Sequence, residues 1–181
     1  MKFFQKFFAA KVHPKKTQKG FTLIELVLYV GILSILVGVM STMFGQIVEV
    51  QLESEATSTV DQDGRYILSK MFYDMKSINT SDVITTPASP GSQTSTLQIR
   101  VNSINYTYSL NSGGNLILTN GSTGEVNVLN SANSSVTGLT FQRIGAGDTN
   151  DTIRVNFTVV SRVKQPSGDE SRAFQTTLAK Q

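Results

Sequence analysis

The chain has 181 residues, enough for one domain plus a long helix, and no cysteine, which excludes disulfide staples, thiol chemistry and cysteine-ligated metal. Residues 1–20 hold six of its 16 basic residues and none of its 13 acids, so the formal charge of +3 becomes −3 for residues 21–181. That balance gives nucleic-acid binding no electrostatic help. The basic stretch 1–20 is expected to be a leader on the cytoplasmic side of a membrane, with a lipid-binding polybasic tail as the alternative.

The next element opens at Lys19-Gly20-Phe21-Thr22-Leu23-Ile24-Glu25 and stays apolar to Phe44, with Glu25 the only charge from Phe21 onward. Twenty-four helical residues span about 36 Å, enough to cross a bilayer with some tilt. An ordinary secretory signal fits less well, because its apolar core is about 7–15 residues with an Ala-x-Ala-like exit. A carboxylate near the bilayer core costs roughly 2.5–3.5 kcal/mol on the lenient insertion scale, so Glu25 requires compensation, and another subunit is the expected source. Gly31, Ser34, Gly38, Ser41 and Gly45 recur at spacings of three and four. They place small side chains on one helical stripe where a second helix can approach closely.

The residues around Gly20 and Glu25 resemble the type III signal of the type IV pilin superfamily, which includes pilins, minor pilins and type II secretion pseudopilins. The resemblance implies cleavage between Gly20 and Phe21 by a prepilin peptidase, and N-methylation of Phe21. Glu25, fifth in the processed chain, would then pair with a neighbouring subunit's N-terminal amine. The implied partners are other pilins or pseudopilins, the peptidase, an inner-membrane assembly platform, and membrane lipid before assembly. Many members of the superfamily carry a proline in the helix; this chain has Thr42 and no proline there, so no sharp break is expected.

Beyond Phe44 the pattern turns amphipathic. Leu52, Ala56, Val60, Ile67, Met71, Met75 and Ile78 keep a one-sided helical period, with Gly64 close to the stripe. If continuous from Phe21 to Ile78, the helix would be about 87 Å long. Residues 79–95 are expected to be a polar loop, with Pro87 and Pro90 excluding regular structure. The period then changes to two, at Leu97/Ile99/Val101, Tyr106/Tyr108/Leu110, Leu116/Leu118 and Val126/Val128. Further strands are expected at 139–144, 153–163 and 173–178, with Gly113-Gly114 marking a hairpin. The expected fold class is α+β: a long N-terminal α-helix, membrane-spanning in its first half, packed on a C-terminal, mainly antiparallel β-sheet. The expected division is a cleaved leader 1–20, a membrane or filament-core helix 21–45, an amphipathic helix 46–78, a loop 79–95 and a sheet domain 96–181. This half resembles the J-type pseudopilins and W-type minor pilins through Arg65-Tyr66-x-Leu68-x-x-Met71, Val136-x-x-Leu139-x-Phe141 and Thr176-Thr177.

Catalytic chemistry is not expected. The only histidine, His13, lies in the leader, which leaves neither a Ser-His-Asp arrangement nor a zinc site for the remainder. Asp61 and Asp63 are expected to be solvated helix charges. The oxygen-rich stretch 147–151 could suit Ca²⁺ but lacks EF-hand spacing, and a plain turn is the expectation. No cofactor or metal is expected. Arg143, Arg154, Arg162 and Lys164 are expected to be scattered solvent charges and not a nucleic-acid patch. The expected function is that of a structural subunit, a minor pilin or pseudopilin. It would sit in the bacterial inner membrane with its leader in the cytoplasm, and later in a pilus or pseudopilus. The alternative is a monomeric, membrane-anchored binding or adhesin domain with an uncleaved signal anchor.

Overall fold

A computed structural model describes residues 20–78, 83–144, 152–165 and 168–179. The chain divides into two compact units, residues 1–44 and 45–181. One helix, α1 (Leu23–Lys76), passes through both without a break, as the absence of proline predicts. It begins two residues after Phe21. It ends at Lys76, where Ser77 turns its hydroxyl back on the Asp74 carbonyl (2.7 Å).

In the second unit α1 buries Ala56, Val60, Gly64, Ile67, Met71 and Met75, a single stripe at steps of three and four. Leu52, expected on that stripe, is only half-buried, because coverage of the helix begins at Ala56. Each fully buried aliphatic side chain contributes about 1.5–3 kcal/mol of transfer free energy. The stripe therefore fixes this half of α1 to the sheets, although intrinsic helix propensity alone would not hold it.

The strands are β1 (Ile84–Thr86), β2 (Gln93–Thr94), β3 (Leu97–Val101), β4 (Ile104–Leu110), β5 (Leu116–Asn120), β6 (Val126–Val128), β7 (Ser134–Arg143), β8 (Thr152–Ser161) and β9 (Ser171–Ala179). They form two antiparallel sheets, not one, in the orders β1-β3-β4-β5-β6 and β2-β7-β8-β9. Two corrections follow for the segment 79–95. Ile84 pairs with Ile99 and Gln93 with Gln142, so short strands lie on either side of the two prolines. Proline blocks a ladder only where its own N–H is needed, and here Pro87 and Pro90 fall between strands. The β domain therefore begins at Ile84, not at residue 96.

β7 also starts earlier than expected, at Ser134. Its pairing with β8 shifts between Thr137 and Thr140, where Gly138 sits at φ 61°. The extra residue of this bulge lets Val136 and Leu139 both face the core at a spacing of three. Gly113-Gly114 does close the β4–β5 hairpin, with Gly114 at φ 71° and Asn111 Oδ1 accepting the N–H groups of Gly113 and Asn115 at 2.9 Å. The core is one cluster joining α1 to both sheets, with Tyr108, Phe141 and Phe157 its largest side chains.

At Gly64 a Cβ would fall 2.0 Å from Phe174 Cζ, and the Phe174 ring is itself stacked on Phe157 at 5.4 Å. Gly64→Ala is thus expected to destabilise the domain by about 1–3 kcal/mol through overpacking, even though alanine favours a helix by about 1 kcal/mol. A lower urea midpoint with an unchanged m-value would record it.

Candidate processing and assembly site

The N-terminal unit builds its site on the first two turns of α1. Thr22 precedes the helix, and its Oγ1 accepts the backbone N–H of Glu25 (3.3 Å) while its carbonyl accepts the N–H of Leu26 (3.1 Å). Thr22 is therefore the N-cap and Glu25 the third helical residue, which is half of a capping box. The Glu25 side chain does not complete the box. Its Oε1 instead accepts the hydroxyl of Tyr29 one turn on (3.5 Å). Phe21 sets its ring edge-to-face on Tyr29, with centroids 6.0 Å apart. Phe21, Glu25 and Tyr29 thus lie at i, i+4 and i+8 on one face. Neither Thr22 nor Tyr29 had been assigned a role from the sequence; the Thr-x-x-Glu spacing and the i+4 tyrosine were the available signals.

Gly20 is exposed, and among the described residues nothing beyond its chain neighbours lies within 4 Å of where a Cβ would stand. Its carbonyl precedes the helix, and no hydrogen bond among the described residues ties it in.

Gly31, Ser34, Gly38 and Ser41 fall within about 80° of one another at roughly 100° per residue, and Gly45 follows on the same period. Space beside Gly31, Gly38 and Gly45 is open. The hydroxyls on this segment are satisfied within the helix: Ser34 donates to the Val30 carbonyl (2.7 Å), Ser41 to that of Val37 (2.9 Å) and Thr42 to that of Val39 (2.8 Å). An apolar solvent would therefore meet no unpaired hydroxyl there. An 18-residue window of α1 reaches mean hydropathy 2.5 with none of it buried, so the helix is long and apolar enough to cross a membrane.

Acids of the second unit do structural work. Asp63, expected to be solvated, accepts from Ser131 N (2.9 Å), Ser131 Oγ (2.7 Å) and Ser134 Oγ (2.5 Å), tying α1 to the start of β7. Asp61 pairs with Arg172 on β9. Asp74 receives Lys70 Nζ (2.7 Å) and the hydroxyl of buried Tyr108. Burial first, and the Asp74 carboxylate second, push the Tyr108 phenol well above its ordinary value.

Of the four cations, Arg143 lies on β7, Arg154 on β8, and Arg162 and Lys164 just after β8, and their environments differ. Arg143 is buried and donates to the carbonyls of Pro87 (3.4 Å) and Ala88 (2.9 Å). Arg162 clasps Gly113 O, Asn115 Oδ1 and Ala132 O. Arg143, expected to be a solvent charge, is thus a buried one, and both it and Arg162 are committed to protein oxygens. The 147–151 stretch and His13 lie outside the described residues. Among the described residues no group of three or more His, Cys, Asp or Glu could hold a metal ion.

Over residues 15–41 the sequence matches the family defined by the prokaryotic N-terminal methylation motif. No curated protein and no solved structure matches the chain. The matched segment contains Gly20, Phe21, Thr22, Glu25 and Tyr29 and extends through Ser41. A methylation motif at the head of a membrane-length helix, which runs on into an antiparallel α+β domain, supports a type IV pilin-like protein anchored in a membrane.

Proposed function

We propose that the protein is a non-enzymatic structural subunit, a minor pilin or pseudopilin, of a type IV pilus or a type II secretion-like filament. The observation that carries this reading is the methylation motif with Glu25 in the first turn of an apolar helix. Magnitudes favour assembly over life as a monomer. The helix N-terminus stabilises an acid by about 0.3–1 kcal/mol. A well-formed hydrogen bond to a charged group contributes about 1.5–3 kcal/mol, and the one from Tyr29, at the 3.5 Å limit, supplies only a fraction of that. Against roughly 2.5–3.5 kcal/mol for the carboxylate in the bilayer core, these leave a deficit. A neighbour's N-terminal amine, freed by cleavage after Gly20, would fill it as a charge-assisted hydrogen bond.

In this reading the leader stays cytoplasmic and the globular domain lies outside. The first half of α1 exchanges lipid for other subunits' helices, and its stripe of small residues gives those helices a close approach. The partners are other pilins or pseudopilins, the prepilin peptidase and an assembly platform in the inner membrane.

Mass spectrometry of the protein from its native membrane tests this. The expected N-terminus is N-methyl-Phe21, and Gly20→Ala is expected to retain the leader and run about 2 kDa heavier, taking roughly 110 Da per residue for 20 residues. A wild-type chain beginning at Met1, or Gly20→Ala processed like wild type, would overturn the proposal.

A further inference from the structure

Two strands of the β domain end their sheets with backbone that no described strand pairs: β6 in the first sheet and β9 in the second. The alternation of ladder hydrogen bonds shows which of their groups are open. On β6, the Leu129 N–H bonds the Leu116 carbonyl (2.8 Å) and the Glu125 carbonyl accepts the Asn120 N–H (2.9 Å). The N–H and C=O of Val126 and Val128 therefore point away from β5. Next to β9, the Glu170 carbonyl accepts the Ser161 N–H (2.8 Å), and the unbroken register with β8 then leaves Gln175, Thr177 and Ala179 pointing outward. Val126 and Val128 are half exposed (52% and 53%). Beside β9, Thr176 and Leu178 form a groove with Leu68, Phe72 and Tyr73 of α1, and both of those rings are exposed.

We propose that β6 of one copy adds to the open edge of β9 of a second copy as a parallel strand, with Val126 opposite Thr176 and Val128 opposite Leu178. Ladder parity selects the direction. In an antiparallel pair the outward-pointing residues of the two edges stand opposite each other, which would set the valines over exposed Gln175 and Thr177, away from the groove. In a parallel pair each outward-pointing residue stands opposite one that points inward, so both valines enter the groove. Val126 and Val128 then donate to the carbonyls of Gln175 and Thr177 and accept from the N–H groups of Thr177 and Ala179, as in other strand additions. Charge commits the occupant to a second copy. The register places Glu125 on the outer face of the second sheet, the face that carries Arg154 beside Thr177. Glu125 is exposed, neither it nor Arg154 has an ion-pair partner among the described residues, and Arg154 Nε has no hydrogen-bond partner. The two would stand two strands apart, about 10 Å, a gap that a glutamate and an arginine side chain span together. Because β6 and β9 are different edges, the contact is heterologous and leaves each copy one edge to offer the next. The inference rests on the filament reading and adds a sheet-edge contact to it.

The absence of native cysteine makes the test clean. Asn127→Cys and Thr177→Cys, both at exposed positions, are placed together in the full chain and expressed in the native host. In the proposed register they stand directly opposite on one face, about 4.8 Å apart, within the ~4.4–6.8 Å Cα separation of a disulfide. Filaments sheared from cells and oxidised are expected to give a ladder of disulfide-linked oligomers, with neither single variant giving more than monomer. Val126→Cys with Thr177→Cys is expected to give no ladder, because a parallel pair puts those side chains on opposite faces; a ladder from this pair instead of the first overturns the direction and the groove contact with it. Glu125→Lys in the first pair is expected to lower the ladder yield about two- to five-fold, the range of an exposed ion pair; an unchanged yield overturns the part given to Arg154. Dimers from either single variant overturn the proposal in favour of a symmetric contact. Filaments that contain the double-cysteine chain but give no ladder overturn the strand addition while leaving the filament reading intact. Wild-type protein absent from the filaments overturns the filament reading and this proposal with it.

Discussion

Glu25→Ala is expected to leave the protein in the membrane at wild-type level and to lower its incorporation into filaments about a hundred-fold. The variant removes the only charge of the apolar segment from Phe21 to Phe44, so insertion does not suffer; it becomes easier by up to roughly 2.5–3.5 kcal/mol. Assembly suffers because the neighbour's amine then loses its counter-charge in a low-dielectric helix bundle. Breaking a buried pair by deleting one partner costs about 3–5 kcal/mol, and about 1.4 kcal/mol corresponds to each factor of ten. Quantifying the protein in membrane and sheared-filament fractions separates the two effects. Glu25→Gln refines the comparison, because it keeps an acceptor for the Tyr29 hydroxyl (3.5 Å in the wild type) while losing the charge. Defective assembly of both variants assigns the role to charge. Wild-type incorporation of Glu25→Ala would remove the basis for the assembly mechanism.

The second large effect lies in the β domain at alkaline pH. Tyr108 is fully buried on β4 with its hydroxyl on Asp74, and its phenol is held protonated well above the ordinary value of 10.0. Because the folded value is raised, the stabilisation is fully present below pH 10 and is lost as pH climbs above it. In that window the unfolded chain releases the phenolic proton while the native protein keeps it. Stability should then fall with a slope that approaches about 1.4 kcal/mol per pH unit above pH 10 from this group alone. Tyr108→Phe is expected to be less stable near neutrality by about 1–3 kcal/mol, since Asp74 loses its buried donor, yet to show a shallower decline above pH 10. Urea unfolding of both proteins across that range checks the difference in slope. Parallel declines would mean that Tyr108 does not carry the linkage.

The sequence was most informative where one physical requirement dominates locally. An uninterrupted apolar run with a single acid announces a helix in an apolar setting, and the steps of three and four from Ala56 to Met75 match the buried face of α1. The hairpin at Gly113-Gly114 was equally plain, because a positive φ at Gly114 suits glycine above all. The strand before Leu139 was harder to see. Gly138 breaks the period of two at a bulge, so the run Val136-x-x-Leu139 looks irregular until the β8 partner shows why both residues face inward. β1 and β2 were hidden for a related reason. They are three and two residues long, too short for any periodicity, and become strands only because β3 and β7 offer them an edge.

By itself, then, the amino-acid order determined the methylation motif, the place of Glu25, the long apolar helix and the α+β class, since each depends on neighbours a few positions away along the chain. Tertiary structure alone decided how the ladders split into two sheets and which charges are spent inside the fold. Asp61 and Asp63 read as solvated until Arg172, Ser131 and Ser134 arrive from strands and turns more than 60 residues on. A charge finds its partner in space, and spacing along a single helix cannot report contacts made at that distance.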